Sequence, residues 1–324
     1  MTLPMGRPMR DVFGETVTEL AGRDARIVML DADTASSTKA DIFQKAYPER
    51  FLQMGIAEQN MLGVAAGLAT TGFVPFVSTF VAFAVVRPLD QIRVLIAQTG
   101  LNVKICGGYA GLFTGVTGKT HLIVDDLSIM RAMPGMVTVA PADDVEAAQV
   151  LRWAASFKGP VYIRLVRDAT QRLFDDTYTF APGRAVVARS GGDVTLISTG
   201  SQTPRVVDAA ELLAARGIEA HVLHVPTLKP LHVEAIVAAA DRAPMVVTVE
   251  EGTVIGGLGS AVTETLSEHR PTVVKRIGLQ DVFGESASND ELLELYGLSA
   301  VRVADQVQAF LEARTSAGHA SHAG

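Results

Sequence analysis

The chain has 324 residues, of which 48% are hydrophobic, and it carries a formal net charge of −7 without any run of lysines and arginines. This length allows about two domains, and the hydrophobic content argues against a disordered chain. The acidic balance argues against a nucleic-acid partner, which requires a basic surface.

The single cysteine, Cys106, excludes an internal disulfide and a multi-cysteine metal site. No unbroken apolar stretch of about 18 residues is present, so we expect no membrane partner or membrane span. Residues 1–15 also lack the apolar core of a secretory signal. These features together predict a cytoplasmic protein.

Short apolar runs that predict strands alternate with helical patterns through the first half of the chain. Helices are predicted from Glu58, over 88–99, and from Asp144 to Ala155, where Pro141 and Asp143 form a turn and helix-start signal. Such alternation predicts parallel βαβ units. The predicted strands are 26–30, 73–77, 103–106, 136–139 and 161–165.

A second alternating block follows a segment rich in polar residues and glycine. Its predicted strands are 194–198, 220–225, 245–250 and 273–277, with helices near 204–216, 233–240 and 259–268. We therefore predict an α/β protein with two parallel- or mixed-sheet domains that have helices on both faces. The predicted divisions are a first domain 1–180, a linker 181–192, a second domain 193–313 and a flexible tail 314–324.

Glu58 is a candidate for acid–base chemistry because it stands at the start of a long apolar helical run, 61–69. Burial disfavours the charged form of a carboxyl group, so such a residue can hold and transfer a proton near neutral pH. A plainer role suits the same position, because an acidic residue in a first helical turn stabilises the helix dipole.

Five segments occur together in an order and spacing that resemble the C-terminal half of transketolase: 33–38, 47–51, 55–61, 76–83 and 90–93. The resemblance covers nearly the whole chain, from about Arg10 to a last helix ending near Ala313. It implies that the first domain is a thiamine pyrimidine-binding domain and that the second is the C-terminal domain of the family.

The resemblance implies a set of site residues. Glu58 would hydrogen-bond the aminopyrimidine ring of thiamine diphosphate, and Phe80 and Phe83 would flank that ring. His121 would bind substrate hydroxyls or move a proton, which makes it the second catalytic candidate beside Glu58. Arg10, Ser37 and Arg167 match the positions that bind the phosphate of the sugar phosphate substrate in the family, and Arg164 is a neighbour of Arg167.

The resemblance also implies a partner chain. Transketolases hold the diphosphate and Mg²⁺ through a Gly-Asp-Gly motif and a later Asn, and no Gly-Asp-Gly occurs in this sequence. We therefore expect one subunit of a split transketolase, with no metal ligands of its own. Its partner would be an N-terminal-section subunit that carries the diphosphate- and Mg²⁺-binding domain, in an α2β2 heterotetramer.

The loop 115–121 departs from the pattern of the family. Typical members read Gly-Glu-Asp-Gly-Pro-Thr-His, whereas this chain has Val116, Thr117 and Lys119 at the Glu, Asp and Pro positions. The Asp that Thr117 replaces normally contacts a hydroxyl beside the reacting carbon, and its loss should relax or redirect selectivity. A branched ketose phosphate such as apulose 4-phosphate is therefore a candidate substrate.

Two other functions fit the same architecture. One is a 2-oxo acid dehydrogenase β-type or deoxyxylulose-phosphate synthase-like subunit, against which Arg10 and Arg167 argue. The other is a non-catalytic structural partner of a transketolase-like chain, against which Glu58 argues, since a scaffold needs no acid there.

Overall fold

The structure, a computed structural model, describes residues 3–321, with side chains through Arg314. The strands are β1 (Met5–Pro8), β2 (Ile27–Asp31), β3 (Phe51–Gln53), β4 (Val74–Phe80), β5 (Lys104–Gly108), β6 (Val137–Val139), β7 (Val161–Arg164), β8 (Ala169–Gln171), β9 (Val186–Arg189), β10 (Val194–Ser198), β11 (Ala220–His224), β12 (Thr227–Lys229), β13 (Val246–Thr253) and β14 (Val274–Leu279).

The helices separate these strands in the alternating pattern that the sequence predicts. They are α1 (Met9–Arg23), α2 (Ala35–Thr38), α3 (Asp41–Ala46), α4 (Glu58–Thr70), α5 (Val81–Val85), α6 (Leu89–Gln91), α7 (Asp126–Ala132), α8 (Asp144–Ser156), α9 (Gln202–Ala214), α10 (Val233–Ala240), α11 (Leu258–His269), α12 (Asn289–Leu295) and α13 (Ala300–Ser321). Short 3-10 turns cover Pro48–Arg50 and Gly115–Thr117. Within residues 3–321, no helix combines the length and apolar character needed to cross a membrane.

The larger sheet has the strand order β12–β6–β7–β5–β4–β2–β3. Its neighbouring strands are parallel except for the antiparallel pair β12 and β6. The carboxyl ends of β2, β4, β5 and β7 therefore meet at one edge, where ligands of parallel sheets bind. Most of the predicted site residues lie at or after the carboxyl ends of the strands in this sheet, whereas Arg10 lies in α1.

Both faces of this sheet are covered, which confirms the predicted fold class. Along β2, Ile27 and Met29 pack into the core cluster that contains α1 and α8, whereas Val28 and Leu30 pack into the cluster that contains α4 and α7. Successive side chains of a strand point to opposite faces. Helices therefore lie on both sides of the sheet.

The smaller sheet has the order β14–β13–β10–β11–β9, with β9 antiparallel to β11 and the other neighbours parallel. Strand β9 lies inside the predicted linker 181–192, so part of that segment is an edge strand of the second sheet. Strand β12, from the second half of the chain, pairs with β6 of the first. A two-stranded sheet of β1 and β8 completes the fold.

Two helices differ from their predicted form. The helix predicted over 88–99 is a short α6 followed by a π-helix, Ile92–Ala97, and nothing in the sequence signals the wider turn. Helix α13 continues to Ser321, past the predicted end near Ala313, so 314–321 of the predicted flexible tail are helical. The remaining tail residues, 322–324, lie outside the described residues.

Candidate active site

Glu58 is the first residue of α4, directly after Ala57, and only 1% of its side chain is exposed. Both carboxylate oxygens accept a hydrogen bond from Nη1 of Arg87, at 2.9 and 2.8 Å. The burial agrees with the sequence-based expectation, but the cationic partner was not anticipated. A buried carboxylate that faces a guanidinium forms a charge-assisted ion pair, which stabilises both groups.

Three predicted residues form an aromatic cluster beside this ion pair. Phe80 ends β4 and Phe83 lies in α5, with ring centroids 6.0 Å apart and planes inclined by 24°. The His121 ring meets Phe83 edge-on at 5.2 Å, and its Nδ1 lies 2.8 Å from Oγ1 of Thr120. The Arg87 guanidinium lies 4.5 Å from the centroid of Phe83. Arg87 therefore connects the carboxylate to the aromatic cluster.

The three residues predicted to hold a phosphate converge on Tyr109. Nη1 of Arg10 donates to the Tyr109 hydroxyl at 3.2 Å, and that hydroxyl donates to the carbonyl oxygen of Ser37 at 3.2 Å. The guanidinium carbon of Arg167 lies 5.6 Å from the Tyr109 ring. Hydrogen bonding to Tyr109 and the nearby Asp168 carboxylate raise the pKa of Arg167 above its usual value. Two guanidiniums at one end of the site suit a dianion.

Tyr109 is the residue that connects this basic cluster to the aromatic one. Its ring stacks on Phe80 with centroids 4.0 Å apart and an interplanar angle of 23°. Its backbone has φ of 62°, a conformation uncommon for a residue with a side chain. One signal in the sequence could have identified Tyr109. It is the aromatic residue in the glycine-rich stretch 107–111, which directly follows the predicted strand 103–106.

Arg164 is not part of the phosphate cluster, and this corrects the sequence-based expectation. Its guanidinium is buried, with Nε donating to Asp126 at 3.0 Å and Nη2 donating to the carbonyl of Glu251 at 2.8 Å. The side chains of Arg164 and Arg167 start three residues apart, but only Arg167 lies past the end of β7. Arg164 instead ties the two halves of the chain together.

The loop after β2 is shaped by Asp31, a buried carboxylate at the end of that strand. Asp31 accepts hydrogen bonds from the backbone nitrogen of Thr34 at 2.7 Å and from its hydroxyl at 3.0 Å. Burial raises the pKa of Asp31 above its usual value, and these hydrogen bonds oppose that effect. The carboxylate holds the turn that presents Ser37 towards Tyr109.

The loop 115–121 is held from the second half of the chain. The Gly115 nitrogen donates to Asn289 Oδ1 at 3.1 Å, and Asn289 Nδ2 donates to Asp168 at 3.0 Å. Thr117 turns its hydroxyl back onto the Thr114 carbonyl at 2.6 Å. Its short side chain therefore presents no carboxylate at the position where the family pattern has one.

No group of three or more His, Cys, Asp or Glu side chains that could hold a metal ion occurs in the part of the chain with described side chains. Cys106 is buried and unpaired, and burial raises the pKa of its thiol. The site therefore offers a carboxylate, aromatic rings, an imidazole and guanidiniums. These groups suit a planar nitrogen heterocycle beside an anionic substrate.

Comparisons with known proteins identify the family. Residues 6–172 match the family model for the transketolase pyrimidine binding domain, and residues 183–303 match that for the transketolase C-terminal domain. The chain is 42% identical over 302 residues to a 6-deoxy-6-sulfo-D-fructose transketolase subunit of Clostridium sp. strain MSTE9, covering 92% of this chain and 94% of the relative.

It is also 37% identical over 290 residues to an apulose-4-phosphate transketolase subunit of Phocaeicola vulgatus, covering 89% of this chain and 93% of the relative. Among solved structures, it resembles a split gene transketolase described as an inactive beta4 tetramer, with a TM-score of 0.88 and 45% identity. That match covers 95% of this chain and 99% of the other. The chain belongs to the transketolase family.

Proposed function

We propose that this chain is the β-type subunit of a thiamine diphosphate-dependent transketolase, which transfers a two-carbon glycolaldehyde unit from a ketose phosphate to an aldose phosphate. The observation that carries the proposal is the buried Glu58 carboxylate at the start of α4, which is joined through Arg87 to the ring of Phe83. A structural partner would not require a buried carboxylate at this edge of the sheet.

The residues present fit the aminopyrimidine half of thiamine diphosphate. When bound, this cofactor supplies a nucleophilic carbon and an electron sink. Glu58 would hold a proton between its carboxyl group and a ring nitrogen, and Phe80 and Phe83 would fix the plane of the ring. His121, edge-on to Phe83 at 5.2 Å, would bind a substrate hydroxyl or move a proton.

The phosphate of the substrate would be bound by Arg10, Ser37 and Arg167. Guanidiniums form bidentate, charge-assisted bonds to phosphate oxygens. Thr117 supplies no carboxylate to hold the hydroxyl beside the reacting carbon, so a branched ketose phosphate such as apulose 4-phosphate is a proposed substrate. Turnover of xylulose 5-phosphate compared with branched ketose phosphates tests this proposal, and a clear preference for xylulose 5-phosphate would refute it.

The partner in this proposal is an N-terminal-section subunit that carries the diphosphate- and Mg²⁺-binding domain. The absence of Gly-Asp-Gly from the sequence supports it, as do the names of the relatives as subunits. We propose an α2β2 assembly in the cytoplasm. Mixing the two purified chains should restore transketolase activity, and full activity of this chain alone would contradict the requirement for a partner.

Glu58→Gln tests the central assignment in the reconstituted enzyme. The amide keeps the size of the side chain but cannot exchange a proton, so turnover should fall by about 100-fold or more, as expected for loss of acid–base catalysis. Thermal unfolding of the variant chain shows whether it is folded. Near-normal turnover of the folded variant would refute the role of Glu58.

A further inference from the structure

Arg87 makes two contacts that resemble those proposed for the aminopyrimidine ring. Its Nη1 donates to both oxygens of Glu58, at 2.9 and 2.8 Å, and its guanidinium lies 4.5 Å from the centroid of Phe83. A guanidinium and an aminopyrimidine are both planar, carry N–H groups in the plane, and stack on aromatic rings. The two groups therefore require the same carboxylate and the same aromatic surface.

The ion pair is asymmetric in its exposure to solvent. Only 1% of the Glu58 side chain is exposed, whereas 47% of the Arg87 side chain is exposed. A buried carboxylate that loses its cation is strongly disfavoured, so Glu58 requires a replacement partner or a proton before Arg87 leaves. Arg87 itself returns to solvent easily, because nearly half of it is already hydrated.

The backbone of Arg87 is anchored independently of its side chain. Nε2 of Gln59 donates to the carbonyl oxygen of Arg87 at 3.3 Å. This bond fixes the position of the residue after α5 and leaves the side chain free to change rotamer. Arg87 lies in the turn between α5 and α6, so exchange of its guanidinium for another group does not require either helix to unfold.

We propose that Arg87 is an intramolecular competitor of the aminopyrimidine ring: it neutralises Glu58 before the cofactor binds and leaves as the ring takes its place. The inference rests on the proposed function, because it needs Glu58 to be the pyrimidine ligand. Removal of the guanidinium should therefore strengthen cofactor binding, because it ends the competition for the Glu58 carboxylate and the Phe83 ring.

The test is calorimetric titration of thiamine diphosphate, with saturating Mg²⁺, into the reconstituted complex of this chain and its diphosphate-binding partner. We expect the Kd of Arg87→Ala to fall about tenfold, the ratio that corresponds to about 1.4 kcal/mol of lost competition. Arg87→Lys keeps the charge but lacks the planar stack, so its Kd should fall less. The matched control is Arg270→Ala, since Arg270 pairs with Asp241 at 2.7 Å and is 48% exposed.

A rescue experiment distinguishes competition from a structural effect. Methylguanidinium should refill the space in Arg87→Ala and raise the Kd back towards the wild-type value. Tetramethylammonium at the same ionic strength should leave the Kd unchanged, because it has no N–H groups for Glu58. A role for Arg87 limited to folding would give no difference between the two cations.

An unchanged or higher Kd in both Arg87→Ala and Arg87→Lys would overturn the competitor role and make Arg87 a positioning residue for Glu58. Glu58→Gln in the same complex separates this outcome from failure of the proposed function. If Glu58→Gln loses turnover and Arg87→Ala does not tighten binding, only the competitor role fails. If Glu58→Gln keeps normal turnover, the proposed function fails whatever Arg87 does.

Discussion

Removal of one oxygen atom, by Tyr109→Phe, should weaken binding of the substrate phosphate. The Tyr109 hydroxyl accepts from Arg10 Nη1 at 3.2 Å and donates to the Ser37 carbonyl at 3.2 Å. Phenylalanine keeps the stack on Phe80 and removes both hydrogen bonds. The guanidinium of Arg10 then loses the contact that orients it towards the phosphate. Helix α2, which carries Ser37, loses its hydrogen bond to the loop after β5.

The magnitude follows from the two hydrogen bonds. Both are long and partly buried, so each contributes about 0.5–1 kcal/mol. Their joint loss of about 1–2 kcal/mol corresponds to a rise in KM of about 5- to 30-fold if all of it appears in phosphate binding. The kcat should change little, because the phosphate contacts are the same in the ground state and in the transition state.

The assay compares KM for a phosphorylated ketose with KM for the same sugar without its phosphate, in the reconstituted enzyme. Only the first value should rise in Tyr109→Phe. Tyr296→Phe is the matched control, because the Tyr296 hydroxyl also makes two bonds, at 2.9 and 3.3 Å, but with the backbone of residues 283 and 285 and not with the phosphate cluster. Equal KM changes for the two sugars, or none, would refute the assignment of the basic cluster to phosphate.

Three further predictions concern stability, measured by urea unfolding. Burial lowers the pKa of Lys104 from 10.5 to about 7. Between these values the unfolded chain holds the proton and the folded chain does not, so stability rises with pH by at most about 1.4 kcal/mol per unit. Lys104→Met should remove this rise, and an unchanged pH dependence of stability in the variant would contradict the assignment of the rise to Lys104. Arg205→Met should lower the free energy of unfolding by about 3–5 kcal/mol, because Arg205 pairs with buried Glu251 at 2.7 Å. The double variant with Glu251→Gln should lose less stability than the sum of the two single changes. Gly14→Ala should lower the free energy of unfolding by about 1–3 kcal/mol, because a Cβ there would lie 2.3 Å from the Lys39 carbonyl oxygen. A variant as stable as the wild type would contradict this prediction, because the backbone at Lys39 would then move aside at no cost in stability.

Strands β2, β4, β5, β6 and β7 of the larger sheet were predictable because they read as continuous apolar runs, as expected for strands covered on both faces. Helix α8 was predictable from its start, where Asp143 accepts from the nitrogen of Glu146 at 2.9 Å. The short strands β9 and β12 were not, because they pair antiparallel at sheet edges and only the tertiary contact makes them strands. The start of α4 at Glu58 was predicted correctly. The resemblance suggested Phe80 and Phe83 as further residues of the same candidate site.

The parts of the site that the sequence left hidden are contacts between distant residues. Arg87 lies 29 positions after Glu58 and Tyr109 lies 99 positions after Arg10, so no local periodicity joins either pair. Arg164 is the reverse case: it is close to Arg167 in sequence, which suggested a shared role, but the two side chains contact different residues. Residue type and order suggested the candidate residues, whereas the fold decides which of them touch.

The second half of the chain contributes to the site by holding the loop after β5. Glu251 accepts from the Leu112 nitrogen at 2.7 Å, and Asn289 accepts from the Gly115 nitrogen at 3.1 Å. Directly before Leu112, Gly111 has φ of +66° and no room for a Cβ, which would lie 2.2 Å from Oε1 of Glu251. The loop that carries Tyr109 is thus fixed at its backbone from the other domain. Since backbone contacts of this kind set the position of a side chain without touching the substrate, changes at Glu251 should alter KM through Tyr109 rather than through chemistry at Glu58.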